Sequence, residues 1–161
     1  MTKSMTTTIT YPAALDRVQT MLFDTRFREQ VAAAQHVVDG HVSISGSGTG
    51  AVVTVSQQQS MDRAPGFVQK VVGSTLSVIS TETWTSATSA DLHVDLPGKP
   101  VTMTGKILLS ESAGVTTETI DLTVKVAMPL VGGKVEDMIA TIFSKAYAKD
   151  ESVGAKWLKE G

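Results

Sequence analysis

Residues 5–11 alternate with a period of two, so that Met5, Thr7, Ile9 and Tyr11 share one face, and Pro12 ends the run by removing a backbone donor. This predicts a first strand. From Pro12 the period lengthens: Leu15, Val18, Met21 and Leu22 recur as one helical face, with proline suited to the helix start. Asp24 offers an N-cap for a second short helix, with Phe27 and Val31 inward and Arg26, Arg28 and Glu29 outward. Beyond Gln35 come six β-type segments, at 36–45, 51–61, 75–85, 90–96, 101–110 and 115–127. The separators are rich in Gly, Ser and Pro, and such short connections favour an antiparallel meander. Residues 62–74 break the series: Pro65-Gly66 precedes an apolar run, predicting a loop or single helical turn over one end of the sheet, a candidate lid. After Pro129 the helical period returns, with Val135, Met138, Ile139, Ile142, Phe143, Ala146, Val153 and Trp157 on one broad face. A helix over 130–158 would be about 43 Å long and would cross the whole sheet. Gly154 is its weak point, costing on the order of 1 kcal/mol relative to Ala and ending the packed part early.

Composition narrows the classes. The 161 residues carry a net charge of −2 and fit one domain, expected to span 1–161 with a core over about 5–158. A chain of this mass buries roughly 69% of its unfolded surface, enough for a core without metal or disulfide. With no Cys, thiolate metal sites and a cysteine nucleophile are excluded. No apolar stretch reaches the ~18 residues of a membrane span and no h-region follows Met1, so the expected address is the cytoplasm, without stable membrane insertion. Arg17, Arg26 and Arg28 alternate with Asp16, Asp24 and Glu29, which denies nucleic acid a stripe of one sign. Only 8 residues are aromatic (4 Phe, 2 Tyr, 2 Trp), few for a large sheet that must be covered.

Period two places Val53, Val55, Gln57, Gln59 and Met61 on one face of their strand, and Leu76, Val78, Ser80, Glu82 and Trp84 on one face of the next. Gln57, Gln59 and Glu82 are polar groups on apolar faces. Either they fix the polar head of a ligand, or a bulge reverses the alternation and turns them to solvent. Asp91, His93 and Asp95 share the face opposite Leu92, Val94 and Leu96, so solvation explains them better than metal binding. His36 and His41 have no carboxylate at a ligand-like spacing, and the glycine run 46–50 reads as a hairpin turn. Gly132-Gly133-Lys134 opens a helix, where small residues allow close backbone approach. No cofactor or metal is implied.

The order of strand, two short helices, six strands and a long terminal helix resembles the START and pollen-allergen superfamily, the SRPBCC or helix-grip fold. More narrowly, the chain resembles an actinobacterial family of unknown function within it. The likeness rests on Tyr11-Pro12-Ala13, on Phe23-Asp24 with Phe27, and on the stretch from Pro129 and Leu130 to Glu136 that opens the last helix. The resemblance implies an α+β fold in which a seven-stranded curved antiparallel sheet grips the terminal helix. It also implies an apolar cavity that often holds a lipid-like molecule. With so few bulky side chains, one helix fills the concave face only if Val, Ala and Thr let it approach closely. The expected guest is a small hydrophobic molecule. Its candidate contacts are Val55, Gln57 and Gln59; Val78, Glu82 and Trp84; Val94, Met103, Ile107 and Leu122; and, from the helix, Met138, Ile142 and Phe143. Two alternatives stand beside this carrier. One is a cyclase or aromatase-type enzyme using Glu82 or Tyr11 as acid-base groups. The other is an interaction module with a dry core, in which the uncharged stretch 43–60 leaves strand edges open to pairing, so that the chain is a monomer or weak homodimer.

Overall fold

The structure is a computed structural model that describes residues 2–35, 37, 39–130 and 132–160. It begins with strand β1 (Thr2–Tyr11), followed by helices α1 (Leu15–Leu22) and α2 (Thr25–Ala34). Strands β2 (Asp39–Ser45) and β3 (Val52–Ser60) precede the short helix α3 (Gly66–Val72). Strands β4 (Thr75–Trp84), β5 (Ser89–Asp95), β6 (Val101–Ser112) and β7 (Val115–Val126) lead to helix α4 (Gly132–Glu160). All neighbours in the sheet are antiparallel, in the order β1-β7-β6-β5-β4-β3-β2. The meander runs from β2 to β7, and β1 joins the far edge beside β7. This is the α+β helix-grip architecture, an open curved sheet of seven strands covered by the helices.

Local chemistry accounts for the elements. Asp24 caps α2 by accepting from the Arg26 N–H at 2.9 Å, which turns Phe27 and Val31 into the core. The turn between β2 and β3 holds Gly46, Gly48 and Gly50 at positive φ, as a hairpin of this composition should. Gly105 in β6 faces Leu92 and Leu122, and a Cβ there would meet the Asp121 carbonyl oxygen, so only glycine allows the two strands to close at that point.

The inward sets of β5, β6 and β7 are buried as their alternation requires, including Val94, Met103, Ile107 and Leu122. The register of β3 with β4 is unbroken from Val52 opposite Thr83 to Ser60 opposite Thr75. The bulge that would turn Gln57, Gln59 and Glu82 outward is therefore absent, and all three stay on the concave side.

Three further expectations need correction. Arg28 does not point to solvent but reaches inward from α2. Gly154 does not end the packed part of α4: it is buried, Leu158 beyond it is buried, and the helix continues to Glu160. Its missing side chain makes room for the Tyr11 ring, since a Cβ there would collide with Tyr11 Cε1. Finally, α4 does not pack across the whole sheet. It lies closest to β1 and β7, with further packing against α1, α2 and α3. Over β3 and β4, the span is left to α2 and to side chains of α4.

The expected lid is helical, and Val68, Val71 and Val72 pack it down. His36, singled out in the sequence, and Val131, within the stretch that opens the last helix, lie outside the described residues.

Candidate functional site

A cavity of about 80 Å³ occupies the space between α2, α4 and the paired strands β3 and β4. Its floor is Val55 and Gln57 from β3 and Val78, Ser80 and Glu82 from β4. Arg28, Val31 and Ala32 come from α2 and Gln35 from its C-terminal cap, facing Phe143, Ala146, Tyr147 and Asp150 of α4. The position follows from the packing: α4 leans toward β1 and β7, and the aromatic pair Phe143–Tyr147, with ring centroids 6.3 Å apart, spans the remaining gap. Ala32 and Ala146 are too small to close it.

The polar groups around this cavity are organised. Arg28 Nη1 and Nη2 donate to Glu82 Oε2 and Oε1 at 2.8 and 2.9 Å, a bidentate pair in which both side chains are 10% exposed. Arg28 Nε donates to the Leu22 carbonyl at 2.8 Å, and Trp84 Nε1 donates to Glu82 Oε1 at 3.2 Å. Glu82 thus takes three hydrogen bonds, which makes its place on an apolar face tenable. On the next side of the cluster, Tyr11 donates its hydroxyl to Glu118 Oε1 at 3.3 Å. Glu118 is 4% exposed and lies in β7 opposite Ile9 of β1 and Leu109 of β6. Gln35 Nε2 donates to Asp150 Oδ1 at 3.1 Å and to the Ala146 carbonyl at 3.0 Å, tying α2 to α4 beside the cavity.

Burial sets the protonation of this cluster. It pushes Glu118 up to about 8, helped by the negative charge of Glu82 and opposed by Arg28. Burial likewise pushes Asp150 up to about 7, with Arg28 opposing and Glu82 assisting. The tyrosines Tyr11 and Tyr147 are held well above their ordinary range by burial and then by the neighbouring carboxylates, Glu118 for Tyr11 and Asp150 for Tyr147. Burial works against the Arg28 charge, yet Glu82 outweighs it and raises Arg28 further. Among the described residues no group of three or more His, Cys, Asp or Glu side chains is arranged to hold a metal ion.

Of the expected ligand contacts, the structure brings Val55, Gln57, Val78, Glu82 and Phe143 together around this cavity. Trp84 is buried behind Glu82, stacked edge-on against Phe23 at 5.4 Å. Gln59 sits opposite Leu76, outside the cavity wall. Val94, Met103, Ile107 and Leu122 form solid core under α4, and Met138 and Ile142 pack on that core from the helix. None of the α3 residues lines the cavity, so the flanking elements that could open it are α2 and α4. Asp91, His93 and Asp95 are exposed, and Asp91 pairs with Lys106 at 3.3 Å.

Arg28, Gln35, Glu118, Tyr147 and Asp150 were missed by the sequence reading. Two of them carried a signal. Glu118 has the parity of Ile120 and Leu122, and Asp150 continues the helical row of Phe143, Ala146 and Tyr147.

Comparison with known proteins places this geometry in a family. An uncharacterised protein of Mycobacterium tuberculosis is 30% identical over 118 residues, covering 69% of this chain and 67% of its own. The crystal structure of the ZhuI aromatase/cyclase from Streptomyces sp. R1128 superposes with a TM-score of 0.63 at 16% identity, over 99% of this chain and 94% of that one. A START superfamily protein from Mycobacterium smegmatis does so with a TM-score of 0.59 at 11% identity, over 96% and 98%. At such identities the likeness establishes a shared helix-grip fold and nothing about chemistry. No helix among the described residues is long and apolar enough to cross a membrane. The model of the family described as a protein of unknown function (DUF2505) matches residues 6–158, and the chain belongs to that family.

Proposed function

We propose that this chain binds a small, mainly apolar molecule between its sheet and α4, with a polar head in the cavity beside Arg28 and Glu82. The observation that supports this most is the cavity's composition. A buried bidentate ion pair, Gln57, Ser80 and Asp150 converge on a space otherwise walled by Val31, Val55, Val78 and Phe143. Such a mixture of apolar wall and few convergent polar groups is the usual make-up of a small-molecule site. A dry core would be better served by apolar side chains, because a buried ion pair is at best weakly stabilising.

Size sets a condition. Drug-sized ligands occupy roughly 300–1,000 Å³, and the 80 Å³ found here admits only a head group. A longer guest requires Phe143 and Tyr147, both half-buried, to turn aside. Such a guest would sit under α4 with its tail leaving between α2 and α4.

The test is titration with the neutral lipophilic fluorophore N-phenyl-1-naphthylamine, comparing wild type with Ala146→Trp, which fills the cavity. Saturable enhancement in the wild type, lost in a variant of unchanged circular dichroism, is the expected outcome. Absence of saturation, or equal binding by the filled variant, contradicts the proposal. Native mass spectrometry of protein isolated from its own host would then weigh any retained guest.

A further inference from the structure

The charges around the cavity do not balance. One guanidinium, Arg28, and two carboxylates, Glu82 and Asp150, line the space, a third carboxylate, Glu118, acts on Arg28 from behind the wall, and no lysine lines it. Arg28 is largely committed, with both Nη atoms on Glu82 and Nε on the Leu22 carbonyl. Asp150 has Oδ1 engaged by Gln35, while no side chain among the described residues donates to Oδ2. Negative charge beyond the Arg28–Glu82 pair is therefore suppressed by proton uptake rather than compensated by a partner. The missing component is a positive charge that can enter from outside. The three carboxylates sit on different elements, β4, β7 and α4, and are not arranged to close on one metal ion among the described residues.

We propose that the cavity receives the cationic head of a small amine, with Asp150 as its counter-ion and Gln57, Ser80 and Tyr147 lining the rest of the head-group space. This rests on the small-molecule reading above and names the head group it would take. The volume fits: about 80 Å³ is several times the roughly 10–15 Å³ that a single water needs, sufficient for an ammonium and its first carbons. An anion entering the same space would meet Asp150 and Glu82 and find Arg28 already occupied.

Binding is then linked to protons. The groups facing Asp150 are Arg28 from α2, Glu82 from β4, Glu118 from β7, Tyr11 from β1, and Tyr147 from its own helix. Asp150 sheds its proton near pH 7, whereas an alkylamine keeps its own to about pH 10. Amine affinity therefore rises between pH 6 and 8 as the counter-ion becomes charged.

Three probes of equal length separate the possibilities: n-hexylamine, 1-hexanol and hexanoate, titrated by calorimetry at pH 6 and pH 8. The amine should bind about tenfold tighter than the alcohol at pH 8, with hexanoate weakest, because a desolvated charge pair outweighs a neutral hydrogen bond. The margin should narrow at pH 6, and Asp150→Asn should reduce the amine to the level of the alcohol. Asp150→Ser provides a second deletion of the carboxylate, and N-phenyl-1-naphthylamine binding confirms that each variant keeps its cavity. Equal affinity of the three probes, or undiminished amine binding in both variants, overturns the cation assignment and leaves the small-molecule reading standing. Failure of all three probes together with the fluorophore overturns both.

Discussion

Arg28 and Glu82 hold one another inside the fold, and removal of either strands a buried charge. Arg28→Met leaves Glu82 with Trp84 as its one remaining donor among the described residues. Breaking such a pair costs about 3–5 kcal/mol, whereas replacing both partners by apolar groups costs far less. The melting temperature of Arg28→Met should therefore fall by roughly 6–20 °C, and the double variant Arg28→Met with Glu82→Leu should recover much of that loss. A double variant no more stable than Arg28→Met would show that the pair is not acting as a unit. Glu118 offers a second measurement at the same scale. Its ordinary value is 4.5 and its folded value about 8, so the folded protein holds a proton that the unfolded chain releases. The resulting stability is full below about pH 4.5 and is lost as pH rises through about 8. Thermal melts between pH 5 and pH 9 should show a declining midpoint, and Glu118→Gln should flatten much of that decline. A wild-type midpoint that rises over this range would contradict the buried, protonated carboxyl.

The elements themselves follow from local rules, and their exceptions follow from packing. Alternation in β4 gave Glu82 its inward direction, and the unbroken β3–β4 register shows that the polar residue is tolerated because a partner arrives from α2. That partner was illegible from α2 alone. Arg28 lies next to buried Phe27 on the helix and reads as solvated, and only the tertiary placement of α2 over β4 lets its long side chain turn inward. Gly154 is a related case. Sequence marks it as a helix weakness, yet its purpose is steric, since Tyr11 occupies the space a Cβ would take. Gly154→Ala gains about 1 kcal/mol in helix propensity but forces α4 away from β1, at a cost of roughly 1–3 kcal/mol. The substitution should lower the denaturant midpoint with little change in its slope. A raised midpoint would mean that Tyr11 yields easily. Asp24→Ala, by contrast, should remove the cap of α2 and the exposed pair with Arg26, at about 0.5–2 kcal/mol.

Across the whole molecule, the order of elements made the helix-grip fold readable, because every strand and helix carried its own period and its own turn residues. The cavity was not readable at the same level. Its volume depends on where α4 settles, and the helix settles toward β1 and β7 because Gly154 and Gly132 allow close approach there. The gap left over β3 and β4 is the consequence, and it gathers Val55, Gln57, Val78, Glu82 and Phe143 while leaving Val94, Met103, Ile107 and Leu122 in solid core. Amide chemical-shift mapping of the ¹⁵N-labelled chain, titrated with n-hexylamine at pH 8, tests this most directly. Saturable shifts should concentrate at residues 28–35, 55–57, 78–82 and 143–150, the segments surrounding the cavity. Shifts scattered over the outer face of the sheet, or none at all, would contradict an amine site at this place in the fold.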